Sequence, residues 1–362
     1  MPMIAVLAAA AALAAPCDLE APSGKGSCTR AAVDRLKIND LQAIGTHNSY
    51  KLAISPAQMK LLRGADPKQA DALDYVHPPL VEQLDAGARQ LELDLLDDPQ
   101  GGRYASPLAM KIANDLPYDL EPLKRPGLKV MHAQDIDYRS NCPLFSVCLQ
   151  QIRDWSKAHP DHVPLLILIN LKEGGLKLPG AVQAPAFDAA AMDRVDAEIR
   201  SVFAPADLIT PDAIQGRRKT LREAALAGAW PTLKAARGKV MFALDAPENQ
   251  VAIYRGARRS LEGRAMFVNI EEASPAAAYI TLNDPKEQAG RIAAAVKAGL
   301  IVRTRADADT VEARTDDRRR QNAAFASGAQ YVSTDYMRPD TRLGPYQAAL
   351  PGGGVARRNP VR

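Results

Sequence analysis

The stretch Gln83-Leu-Asp-Ala-Gly-Ala-Arg-Gln-Leu-Glu-Leu-Asp-Leu95 decides how this chain folds. Its second half alternates. Leu91, Leu93 and Leu95 share one face of a strand and Glu92 and Asp94 the other, because successive side chains of an extended backbone point to opposite sides. The leucine face needs an apolar cover, and the carboxylate face needs a polar volume. Both needs are met in a parallel barrel clad in helices, whose inner side opens at a mouth.

Outward from this strand, short β-rich runs recur at 41–45, 128–132, 165–171, 239–244, 266–270, 299–303 and 330–334, with the central strand itself at 89–95. Helical patterning separates them, most clearly at 148–158, 186–203, 284–298 and 309–327. Eight alternations of strand and helix predict an α/β fold, an irregular TIM-type (β/α)8 barrel in a single domain. The irregularity comes from long excursions at 97–127 and 174–238. The barrel is expected over 41–345, after an extension at 17–40 and before a flexible Gly-, Arg- and Pro-rich tail at 346–362.

Residues 1–15 form an alanine-rich apolar run, too short to span a bilayer and similar to a signal-peptide core. A signal peptide at 1–16 predicts a secreted or periplasmic protein. Cys17, Cys28, Cys142 and Cys148 lie close in pairs, and two local disulfides are the natural state of such cysteines in an exported chain. Cys142 and Cys148 are expected to be joined at the start of a helix. A net charge of +4 over 362 residues gives no reason to expect a nucleic-acid partner. Gly-x-Ser-x-Gly, Gly-x-Gly-x-x-Gly, Walker and His-Glu-x-x-His motifs are absent, which removes the usual hydrolase-elbow, nucleotide and zinc chemistries.

Barrel enzymes carry their chemistry at the C-terminal ends of the strands. The first end reads Gly45-Thr46-His47-Asn48-Ser49. The second carries Glu92 and Asp94, and the third ends in His132, with Asp135 and Asp137 beyond it. The fourth brings Asn170, Lys172 and Glu173, the seventh Arg303 and the eighth Asp335-Tyr336. Two carboxylates on one face repel unless a cation lies between them, and all-oxygen donors suit calcium or magnesium. Asn48 adds a neutral oxygen. Cleaving a phosphodiester needs one group to take a proton and one to return it, and imidazole titrates in the right range for both tasks. His47 and His132 are placed for these roles. Lys172 and Arg303 are placed to counter a phosphate. Asp335 is placed to orient a histidine or to close the barrel. His77, His159 and His162 lie in polar loop or helix-end contexts and read as structural or surface residues.

Five stretches together resemble the phosphatidylinositol-specific phospholipase C family, in its calcium-dependent bacterial and fungal branch. They are Ile44-Gly-Thr-His-Asn-Ser-Tyr50, 83–95 as quoted above, Lys129-Val-Met-His-Ala-Gln-Asp-Ile-Asp-Tyr-Arg139, the 148–162 helix with Trp155-Ser156 and Pro160, and Tyr331-Val-Ser-Thr-Asp-Tyr336. The resemblance implies that His47 is general base on the inositol 2-hydroxyl and that His132 serves the leaving group. It implies that Asn48, Glu92 and Asp94 hold a calcium ion. An acid at position 94 implies a metal, because metal-independent relatives carry an arginine there. The implied products are a cyclic inositol phosphate and diacylglycerol, from a phospholipid met in transient contact with a membrane surface. The family often has another acid on the fourth strand. Here Asn170 and Lys172 face inward and Glu173 lies just beyond, so Asn170 is one choice for the fourth ligand and Glu173 or water the others. Two alternatives compete: a glycerophosphodiester phosphodiesterase on the same barrel, and a non-catalytic calcium-dependent binding barrel. Head-group specificity and oligomeric state are not encoded in any motif of the chain.

Overall fold

The computed structural model describes residues 17–113 and 117–362; the expected signal segment lies outside them. Eleven strands are present among the described residues: β1 Leu41–Thr46, β2 Gln90–Leu96, β3 Lys129–Val130, β4 Leu165–Leu171, β5 Leu208–Ile209, β6 Val240–Leu244, β7 Met266–Val268, β8 Tyr279–Thr281, β9 Ile301–Arg305, β10 Tyr331–Thr334 and β11 Ala356–Arg358. Eight of them form a ring in which every pairing is parallel. The order is β1, β2, β4, β6, β7, β8, β9, β10 and back to β1, with Asn269 paired to Tyr279 to join β7 to β8. The expected barrel is therefore present.

Helices cover its outer face. The segment Phe145–Ala158 buries Phe145, Cys148, Leu149, Ile152, Trp155 and Ser156, a stripe at helical spacing. Trp155 Nε1 also donates to Asp85 Oδ1 at 2.7 Å, tying this helix to Leu80–Asp85. Leu165–Leu171 is apolar nearly throughout, as a strand enclosed on both sides must be. Gly45 lets β1 reach β2: a Cβ there would lie 2.3 Å from the Gln90 carbonyl oxygen. Both disulfides form, Cys17–Cys28 and Cys142–Cys148, the second at the start of the Phe145–Ala158 helix as expected.

Three expectations need correction. The run 128–132 does not enter the barrel. Only Lys129–Val130 is extended, and it pairs antiparallel with Leu95 and Leu96 at the end of β2. The vacant place is filled by Tyr279–Thr281, a three-residue strand too short for its pattern to stand out. Both runs are apolar and β-rich, and the direction of pairing is a non-local property that neither run encodes. The 309–327 helix is broken into Val311–Thr315 and Arg319–Ala326, with Asp316 between them at a left-handed φ of 48°.

The third correction concerns the tail, part of which joins the sheet. Ala356–Arg358 pairs antiparallel with Leu41–Ala43, the half of β1 that lies before β2 joins it. Arg357 donates to Gln42 and Asn359 is buried. The N-terminal extension packs on the same strand, with Leu19 donating to the Ala356 carbonyl at 2.8 Å. An unpaired strand edge recruits a partner whatever its composition, and Gly-, Arg- and Pro-rich composition does not report that such an edge is waiting.

Candidate active site

β1 ends at Thr46, and the chain turns at Asn48, which adopts a left-handed φ of 46°. Asparagine tolerates this conformation better than most residues. The turn brings His47 and Asn48 into a cleft of about 810 Å³ at the barrel mouth, shared with His132, Arg305, Asp335 and Tyr75.

His47 is fixed from several sides. Its Nδ1 lies 2.9 Å from Asp335 Oδ1, and Tyr75 Oη is 3.4 Å from the same nitrogen. Its Nε2 lies 3.7 Å from Glu92 Oε1 and 3.4 Å from Arg305 Nη1. Burial and the Arg305 charge push the imidazole below its ordinary pKa, against the opposing pull of Asp335 and Glu92. Asp335 is buried, which would raise its pKa, yet His47, His77 and Arg305 hold it ionised far below the usual range. The Asp335 carboxylate thus accepts Nδ1–H and leaves the Nε2 lone pair on the cleft side, where Arg305 Nη1 lies within donating distance.

His132 repeats the arrangement. Its Nδ1 is 3.0 Å from Asp137 Oδ2, and the other Asp137 oxygen takes Lys51 Nζ at 2.9 Å. Burial works against the Asp137 charge, and Lys51 and His132 outweigh it, keeping the carboxyl below its ordinary range. His132 arrives on the segment after β3, not on a barrel strand.

Glu92 and Asp94 point into the mouth, as the alternation requires. Glu92 accepts from Asn170 Nδ2 at 2.7 Å and from Arg303. Asp94 pairs with Lys172 at 2.8 Å, and neither of its oxygens receives a hydrogen bond of good geometry. Burial opposes the Asp94 charge; Lys172 and then His132 keep it ionised. Lys172 is driven up in turn by Asp94, although burial acts in the opposite direction.

The structure therefore gathers His47, Asn48, Glu92, Asp94, His132, Asn170, Lys172 and Asp335 at one mouth. It moves one of the expected phosphate contacts. Arg303 is 1% exposed and lies beneath the site, bonded to Glu92 and Asn283. Arg305, two residues on and on the same face of β9, lines the cleft instead. The sequence reading ended that strand at residue 303 and so missed Arg305. Tyr75 has no role in that reading, and His77 is expected there to be structural or on the surface. His77 is buried edge-on against Tyr75, with Nε2 3.8 Å from Asp335 Oδ1. No local motif marks either residue; only their packing beside His47 reveals them.

Among the described residues, no three His, Cys, Asp or Glu side chains gather in a metal-holding group. A hard cation can also be held by neutral oxygens and water. The buried Asp94 carboxylate, ion-paired with Lys172 but without a well-aligned hydrogen bond, and Asn48 Oδ1, 3.4 Å from Tyr50 Oη, are hard oxygen donors that fit such an ion.

A parallel barrel carrying two carboxylate-fixed histidines, a guanidinium and inward carboxylates at the C-terminal ends of its strands is a barrel enzyme of phosphodiester chemistry. The chain belongs to the calcium-dependent phosphoinositide phospholipase C family, whose model, described as "Phosphoinositide phospholipase C, Ca2+-dependent", matches residues 36–360. Among solved structures it is similar to a calcium-dependent phosphoinositol-specific phospholipase C from the Gram-negative bacterium Pseudomonas sp. The identity is 19%, the match covers 90% of this chain and 96% of that one, and the TM-score is 0.53. It is similar in the same way to the Ca2+-dependent phosphatidylinositol-specific phospholipase C of Streptomyces antibioticus, at 19% identity, 83% and 95% coverage and a TM-score of 0.53. Likeness at this identity speaks for the fold. No curated protein sequence matches.

Proposed function

We propose that this enzyme cleaves phosphatidylinositol-type phospholipids between glycerol and phosphate, by attack of the inositol 2-hydroxyl, releasing diacylglycerol and a cyclic inositol phosphate. The observation that carries this reading is the pair of histidines facing one cleft, each with Nδ1 fixed by its own buried aspartate. Family membership supports the lipid class.

His47 Nε2 takes the proton from the 2-hydroxyl as its oxygen bonds to phosphorus. Asp335 holds the ring in the tautomer that can do so and stabilises the imidazolium that results. Arg305, rather than Arg303, faces the non-bridging phosphate oxygens. His132 Nε2 gives its proton to the glycerol oxygen as the phosphorus–oxygen bond to diacylglycerol breaks, with Asp137 supporting the protonated ring. Asn48, Glu92 and Asp94 would hold calcium, which supplies positive charge for the crowded phosphoryl oxygens and lowers the pKa of the attacking hydroxyl. Asn170 works as a donor to Glu92 in this arrangement.

Leu61, Val76, Ile112, Leu178 and Val311 are 44–63% exposed and lie on segments that leave the C-terminal ends of strands. Exposed apolar side chains on these segments support transient contact with a membrane. The two disulfides support a secreted or periplasmic location.

Incubation with phosphatidylinositol, phosphatidylcholine and glycerophosphodiesters, with calcium or chelator and with phosphorus NMR of the products, tests the proposal. Cyclic inositol phosphate formed only from phosphatidylinositol and only with calcium is expected. Release of glycerol 3-phosphate from glycerophosphodiesters would overturn it.

A further inference from the structure

Each carboxylate of β2 already carries a protein cation. Glu92 has Arg303 and Asp94 has Lys172. The two pairs differ in freedom. Arg303 is enclosed in the barrel and held a second time by Asn283, whereas the Lys172 side chain is 32% exposed at the end of β4. Strand register explains why the lysine reaches. Asp94 lies opposite Asn170 in the parallel ladder, and Lys172 sits two residues further along the same face. Its backbone N–H is anchored to the Leu95 carbonyl at 2.8 Å, so only the flexible stem can move. Acids and cations at β2 therefore balance one to one. A dication approaching Asp94 meets an ammonium already 2.8 Å from its carboxylate. Like charges that close repel strongly in a partly desolvated site.

We propose that the Lys172 ammonium is a built-in competitor of the metal: it occupies Asp94 in the metal-free protein, and calcium binds only as Lys172 swings out toward solvent. The proposal rests on the calcium reading given above. It makes calcium affinity a property of two residues, Asp94 attracting the ion and Lys172 opposing it. It also gives the metal-free enzyme a neutralised, stable site.

Titration calorimetry with calcium chloride on chelator-stripped protein tests this, alongside thermal unfolding with and without the ion. Lys172→Met, which keeps the length of the stem and removes the charge, is expected to bind calcium on the order of tenfold more tightly than wild type. It should also show a larger calcium-induced rise in Tm, because its Asp94 is left without a cation until the metal arrives. Lys172→Arg should stay near the wild-type Kd, and Asp94→Asn should abolish binding in either background. If wild type and Lys172→Met bind with the same Kd, or the variant binds more weakly, and Asp94→Asn abolishes both, then competition is overturned while the calcium site survives. If neither protein binds calcium, and turnover continues in chelator, both the competition and the calcium reading are overturned.

Discussion

His47 and Asp335 meet across 288 positions of sequence: Nδ1 of the histidine lies 2.9 Å from Oδ1 of the aspartate, and Arg305 Nη2 holds the other oxygen at 3.1 Å. The contact follows from strand register. β1 and β10 are adjacent and parallel with Thr46 opposite Thr334, so the next residue on each strand emerges beside the other. Asp335 is fixed from below as well, because its backbone N–H donates to the buried Asp307 carboxylate at 2.8 Å.

Asp335→Asn should therefore lower kcat with little change in KM. The amide keeps the shape and loses the charge that selects the Nδ1–H tautomer and stabilises the imidazolium. A loss of about a hundredfold or more is expected. Steady-state kinetics on phosphatidylinositol vesicles would measure it, with Tm as a check on folding. Unchanged kcat would remove Asp335 from the base.

His132→Ala should separate substrates by leaving group. On the natural lipid the departing alkoxide needs a proton, and a loss of roughly 10²–10⁴ is expected. On a substrate with a phenolic leaving group of low pKa the loss should shrink by at least about tenfold. His47→Ala should damage both substrates alike, since each still needs its nucleophile deprotonated. Equal losses in the His132 variant would exclude general-acid catalysis by that residue.

The pH–rate profile should rise early. His47 must be neutral to accept a proton, and burial together with Arg305 lowers its pKa. A base with a depressed pKa stays active to lower pH, so kcat/KM should climb through a point below the ordinary histidine value of about 6.5. Arg305→Met removes one cause of the depression and should move that limb to higher pH, whatever it does to the plateau. A limb that stays in place in the variant would show that Arg305 does not act on His47.

Arg303→Met should injure stability in addition to any effect on turnover. It removes the buried guanidinium paired with Glu92, and in calcium-free protein breaking such a buried pair costs about 3–5 kcal/mol. Adding Glu92→Gln should restore part of that loss, because the stranded charge is gone. Urea unfolding of the two single variants and the double variant measures this, and strictly additive losses would show that the residues do not form one unit.

Much of this protein was determined by local pattern. Alternation at 91–95 placed Glu92 and Asp94 on one face, and strand ends presented His47 and Asp335, because side-chain direction in an extended backbone follows from sequence spacing alone. The spacing of the cysteines anticipated both disulfides. The tertiary structure alone decided which runs share hydrogen bonds. It put Tyr279–Thr281 into the ring in place of 128–132, drew 356–358 onto the open edge of β1, and set Arg303 beneath the site with Arg305 within it. It also placed Lys172 on Asp94 and Tyr75 beside His47. Pairing between strands is a choice among partners distant in sequence, settled by the closure of the whole barrel, and no single segment contains the information to make it.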